Sequence, residues 1–119
     1  MDDAPLFFYI TAPDAAAADA LGRGLVEDGC AACVNIIPGM RSVYRWEGRV
    51  ESAEEHILIA KSTRNAADAL KRKVAALHPY ETPCVVALPL DAGASAENFI
   101  DWIVTQTRGA VAAPPGNAK

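Results

Sequence analysis

The side chains best suited to metal or redox chemistry in this 119-residue sequence are three cysteines and two histidines. Cys30-Ala31-Ala32-Cys33 has the C-x-x-C spacing of metal and redox sites. Redox pairs of that type open a helix, where the dipole favours the thiolate, whereas this pair follows a helix and leads into a strand. Three residues is an odd step in a period of two, so an extended backbone would send the two thiols to opposite faces. We read Cys30 and Cys33 as structural, with a soft-metal set of Cys30, Cys33, Cys84 and His78 as the competing reading, because thiolate and imidazole together suit copper(I) or zinc.

His78 is the stronger ligand candidate of the two histidines. It stands at the C-terminal end of a predicted helix, beside Tyr80 and Glu81 and six residues before Cys84. His78, Glu81 and Cys84 therefore form the candidate metal set, against the plainer reading of His78 as a cap that favours the helix dipole. His56 and Glu54, two apart on a strand, could share a surface cation. Trp46, Lys61 and Tyr80, with Glu81, are a polar and aromatic group that could line a cleft between subunits or anchor an interface. Gly-rich phosphate loops, G-x-S-x-G and H-E-x-x-H are all missing from the sequence, and no histidine is placed to activate a serine or cysteine, so no enzymatic activity is expected.

The stretch that must position these residues is Cys33 to Thr63, two extended runs meeting at Glu47-Gly48, where glycine can take the positive φ of a tight turn. A two-residue turn there puts Tyr44 opposite Glu51, Val43 opposite Ser52, and Arg41 opposite Glu54 as an opposite-charge cross-strand pair. A first arm from Ala31 to Trp46 would reach ~50 Å at ~3.3 Å per residue. A compact chain of this size is only ~35 Å across, so the ribbon overhangs its body, with a bend expected at Pro38-Gly39. An overhang carrying Val43, Tyr44, Trp46 and Val50 needs cover from another chain. An obligate oligomer follows.

The remaining elements are shorter. Leu6 to Ile10 is a continuous apolar run and reads as a central strand covered on both faces. Thr11-Ala12-Pro13-Asp14 starts a helix with Ala17, Leu21 and Leu25 on its apolar stripe, ended by Asp28-Gly29. After Lys61, the side chains of Ser62, Thr63 and Asn65 offer caps to a second helix with Leu70, Val74 and Leu77 on one face, stopped by His78-Pro79. Cys84 to Leu88 is the fourth strand, with Pro89 marking an edge position. Ser95 caps a last helix whose packed side carries Phe99, Trp102, Ile103 and Gln106. The order strand, helix, strand, strand, helix, strand is the α+β split β-α-β, or ferredoxin-like, arrangement: an antiparallel sheet with helices on one face and an extra C-terminal helix. One domain, residues 1–108, is expected, followed by a disordered tail, 109–119.

A net charge of −4 with scattered lysines and arginines argues against nucleic acid as a partner. Leu6 to Ile10 is too short for a signal core or a membrane span, so no membrane association is expected. An odd number of cysteines fits a reducing compartment, and the expected address is the cytoplasm.

Five separated motifs resemble one family, the CutA divalent-cation tolerance proteins: Thr11 to Asp14, Ala31 to Gly39, Tyr44 to Gly48, Lys61, and His78 to Pro83. The resemblance runs from Leu6 to about Trp102. It implies a ferredoxin-like subunit in a tight homotrimer, with long hairpins wrapping across neighbours, similar in shape to PII signalling proteins. It also implies a role in tolerance of copper and other divalent cations without enzymatic activity, with copper or another divalent cation as a ligand not required for folding. The competing reading, from another class, is a non-catalytic PII-like signalling or scaffold trimer whose inter-subunit cleft takes a small anionic ligand near Lys61. A copper site suggested for some members falls here on Ile10, Leu77 and Cys84; two of these carry no ligand atom, and the third offers sulfur in place of oxygen.

Overall fold

The computed structural model describes residues 2–112. Its elements run β1 (Pro5–Ala12), α1 (Ala15–Glu27), β2 (Cys33–Trp46), β3 (Arg49–Thr63), α2 (Ala67–Leu77), β4 (Val85–Pro89), a short 3-10 turn (Ala92–Ala94) and α3 (Glu97–Ala112). The four strands form one antiparallel sheet in the order β2-β3-β1-β4. β4, five residues long and ending on Pro89, is an edge strand, where a missing N–H costs no ladder bond.

The hairpin register is the one the turn dictates: Tyr44 pairs with Glu51, Val43 with Ser52 and Arg41 with Glu54. Glu47 (φ 50°) and Gly48 (φ 79°) make a two-residue turn with both φ values positive, whose twist matches that of the strands it joins. At Pro38-Gly39 the ladder breaks: Ile37 pairs with Ile57 but Met40 with Glu55, so β2 holds one extra residue there, with Gly39 at φ 78°. That bulge is the predicted bend. The longest dimension is 43 Å, and the tip stands clear of the body, with Val43 68% and Trp46 61% exposed.

Alternation along β1 and β3 sorts the sheet into two faces. Leu6, Phe8, Ile10 and Ala12 point with Leu58 and Ala60 into the main core, where they meet Leu21 and Leu25 of α1 and Leu70 and Val74 of α2. Asp14 caps α1, its carboxylate accepting from the Ala17 N–H at 2.8 Å, and Gly29 (φ 72°) follows its C-terminus. The opposite face, called the far face below, carries Phe7, Tyr9, Ile57, Ile59, Lys61, Val86 and Leu88.

Several expectations are corrected. The Thr63 hydroxyl meets that of Thr107 at 3.3 Å, and Thr63 shares the parity of Lys61, so α3 packs on one end of the far face and the helices do not all lie on one side. The rest of that face is open within a subunit, leaving Phe7 and Tyr9 half-buried rather than covered. The buried stripe of α3 is Ile100, Ile103, Thr107 and Ala110, while Phe99 and Trp102 stack on each other, exposed. Leu77 is 40% exposed because its position in the last turn of α2 lies beyond the core. Ser62, Thr63 and Asn65 do not cap α2: they bond the Cys30 carbonyl, Thr107 and the Asp2–Asp3 segment, and α2 begins after Ala66 without a side-chain cap. Ser95 bonds back to the Asp91 carbonyl instead of capping α3. Finally, α3 runs past Gly109 to Ala112, because Ala110 is buried against the Gly29 turn; residues 113–119 of the expected tail lie outside the described residues.

Candidate functional site

Two polar clusters among the described residues hold sequence-predicted candidates. The first surrounds Lys61, which sits directly opposite Cys33 on the paired strands. Lys61 is only 7% exposed; its ammonium donates to the Asn35 side-chain oxygen and to the Cys33 Sγ at 3.3 Å, and lies 5.7 Å from the centre of the Phe7 ring. A buried cation ordinarily has an anionic partner. Among the described residues Lys61 pairs with no carboxylate and relies on an amide, a thiol and a ring face.

The second cluster lies where the hairpin leaves the body. β1 ends at Ala12 opposite His56, so β3 beyond that point is open to the turn after α2. Glu55, 9% exposed, accepts from Ser42 Oγ at 2.6 Å and from the Tyr80 hydroxyl at 3.5 Å. Burial, then the Glu55 charge and hydrogen bond, raise the Tyr80 hydroxyl above its ordinary pKa. The Tyr80 N–H donates to His78 Nδ1 at 3.1 Å, and His78 Nε2 lies 2.7 Å from the Thr11 carbonyl oxygen. Because Nδ1 accepts, the proton is on Nε2 and is donated to Thr11. His78 is thus neutral, buried and bonded through both nitrogens.

These positions decide what the candidates can do. His78 turns inward, whereas Glu81 and Cys84 are exposed on the following turn. No three His, Cys, Asp or Glu side chains among the described residues stand close enough together to hold a metal ion. Cys30 is buried in the main core and Cys33 lies beside Lys61 on the far face, so the C-x-x-C thiols do diverge. Burial, aided by the Asp28 charge, pushes the Cys30 thiol pKa up, which keeps it protonated and unreactive. His56 is half-buried with its Nδ1 unpartnered, and Glu54 is exposed. Trp46 and Lys61 lie at opposite ends of the hairpin. Trp46 pairs with Arg49, twelve residues before Lys61, a separation of ~40 Å along the strand. Any cleft holding both must borrow one of them from a second copy.

The sequence profile described as CutA1 divalent ion tolerance protein matches residues 6–106. The chain belongs to that family. It is 44% identical over 98 residues to the divalent-cation tolerance protein CutA of Thermus thermophilus, covering 82% of this chain and 93% of that one. The solved Thermus structure superposes with a TM-score of 0.83 at 41% identity, covering 87% of this chain and 98% of that one. A structure described as the PII-like protein CutA from Nostoc sp. PCC 7120 in apo form gives 0.80 at 33% identity, over 86% and 96% of the two chains. CutA proteins are non-catalytic. Other relatives are named as chloroplastic in Arabidopsis thaliana, at 40% identity over 84% of this chain and 54% of that one, and as periplasmic in Archaeoglobus fulgidus. Among the described residues of this CutA1 chain, no helix is long and apolar enough to cross a membrane.

Sequence reasoning missed Glu55 and Ser42 as members of a site. Their signal was the bulge: once Met40 is set opposite Glu55, Ser42 falls two residues along the same face.

Proposed function

We propose that this CutA1 chain acts in divalent-cation tolerance as a cytoplasmic homotrimer, with the far faces of its sheets turned toward one another and each hairpin lying across a neighbour. The observation that carries the reading is the far face itself. Val86 and Leu88, 51% and 46% exposed, extend a surface of Phe7, Tyr9, Ile57 and Ile59 across three strands, and the hairpin adds Tyr44 and Trp46 at its tip. An apolar sheet face of this extent is stable in water only when covered. Sedimentation velocity at low micromolar concentration tests it: a trimer is expected, and a well-folded single subunit overturns the reading.

Copper is the cation we assign, bound weakly. Glu81 and Cys84 are exposed and available, while His78 joins them only by exchanging one of its two hydrogen bonds for the metal. Calorimetric titration with Cu(I) and Cu(II) compares the wild type with His78→Ala and Cys84→Ser. Binding unchanged in both variants rules this set out.

A second reading is favoured by one specific observation, the buried Lys61 ammonium that pairs with no carboxylate among the described residues. In it the trimer is a PII-like signalling or scaffold protein, and a small anionic ligand enters the inter-subunit cleft at Lys61, with Trp46 and Tyr80 supplied by neighbouring copies. A thermal-shift screen of metabolites and nucleotides on wild type and Lys61→Ala tests it. The reading fails if no compound shifts the wild type more than the variant.

A further inference from the structure

Among the described residues, Cys33 and Lys61 are the one thiol and amine that the sheet holds in contact: directly opposite in register, with Sγ and Nζ 3.3 Å apart. The amine is not free to wander, because Asn35 and the Phe7 ring fix it from two further sides and its stem is buried. We propose that this pair is a redox modification site, in which peroxide converts Cys33 and Lys61 into a sulfur–nitrogen cross-link between β2 and β3.

The chemistry takes two steps. The Cys33 thiol gives its proton to solvent, the thiolate attacks one peroxide oxygen, the O–O bond breaks, and the sulfur is oxidised by two electrons to a sulfenic acid, while the departing hydroxide takes up a proton from solvent to leave as water. Lys61, having shed one proton to solvent, then attacks the sulfenic sulfur with its lone pair. The S–N bond forms as the S–O bond breaks, and the hydroxyl leaves as a second water with a proton from nitrogen. Sulfenic acids condense in this way with nearby nitrogens, and a thiol reductant reverses the step. In a single subunit Cys33 is half-buried and within reach of a molecule as small as peroxide, whereas Cys30 is sealed in the core and, among the described residues, bonds to no amine side chain. The link would fasten β2 to β3 at the base of the hairpin and remove the buried positive charge.

The test treats the full-length Cys84→Ser protein with hydrogen peroxide, the exposed thiol being replaced to prevent disulfides between molecules. Intact mass is expected to fall by two hydrogens, tandem mass spectrometry to join the Cys33 and Lys61 peptides, and dithiothreitol to restore the starting mass. Adding Lys61→Gln, with folding checked by circular dichroism, should leave Cys33 as sulfenic or sulfinic acid instead. Peptides that remain unlinked while Cys33 gains oxygen in the Lys61-containing protein overturn the proposal without recourse to the variant. So does a link that retains an oxygen between sulfur and nitrogen, or a Cys33 that peroxide leaves untouched.

Discussion

The imidazole of His78 and the main-chain carbonyl of Thr11 are joined by a 2.7 Å hydrogen bond across 67 residues of sequence. It ties the turn after α2 to the end of β1, and the second ring nitrogen holds that turn's own backbone through the Tyr80 N–H. His78→Ala leaves the buried Thr11 carbonyl without this donor. We expect a loss of about 2 kcal/mol in metal-free urea denaturation, within the range for an unsatisfied buried polar group. No loss would mean that the turn is held by other contacts.

Stability should fall on the alkaline side. Tyr80 is raised by burial and by Glu55, Lys73 by its 2.8 Å hydrogen bond to Asp28, and Cys30 by burial. A group whose folded pKa is raised binds its proton more tightly folded than unfolded. Its contribution is complete below the unfolded value and is lost as pH rises through the folded one. The decline should begin above about pH 8.5, with Cys30, and steepen above about pH 10, with Tyr80 and Lys73. Melting temperatures across pH 7 to 11 check this, and Tyr80→Phe should flatten the steeper part.

The three thiols should separate cleanly by rate. With a chromogenic disulfide reagent in buffer, Cys84 is expected to react first and Cys33 more slowly, while Cys30 reacts only after denaturant is added. Three thiols reacting at one rate in the folded protein would contradict the burial described for Cys30.

At the hairpin turn, Glu47 has φ 50°, a conformation that asparagine adopts more readily than glutamate. Glu47→Asn should stabilise the protein by about 0.5 kcal/mol, and Gly48→Ala, at φ 79°, should cost about 1 kcal/mol. Thermal denaturation of the two variants should give shifts of opposite sign.

Leu88→Arg places a charge on the far face where a subunit by itself leaves the side chain half exposed. The substitution should cost the isolated subunit little and should disperse the assembly, read by light scattering after size-exclusion chromatography. An unchanged oligomer would remove Leu88 from the interface.

What was legible in the sequence was mainly local. Glu47-Gly48 fixes the register of every pair from Trp46 to Arg41, and Thr11 to Asp14 marks the start of α1, although Asp14 caps that helix from outside instead of lying in its first turn. The side of the sheet that α3 occupies was not legible, since it depends on Thr63 meeting Thr107, 44 residues away. Leu77 and Ser95 failed for a related reason: helical spacing and capping chemistry say what a residue can do, not what stands across from it. Among the candidate site residues, Cys30 and Cys33 do point apart, but not through strand period: β2 begins at Cys33, and Cys30 lies in the bend before it. The pairing of Cys33 with Lys61, the inward turn of His78, and the Ser42–Glu55–Tyr80 cluster all required three-dimensional neighbours.

The surplus residue at Gly39 has one more implication. Deleting it would make the ladder regular from Ile37 to Met40 while leaving Ser42, Tyr44 and Trp46 on the side they now occupy, since Ile37 and Met40 already pair with residues of one parity. A shortened chain of that kind would keep its chemistry and lose its curl, so whether neighbours recognise the outline of the ribbon or only its side chains becomes a question that one codon can answer.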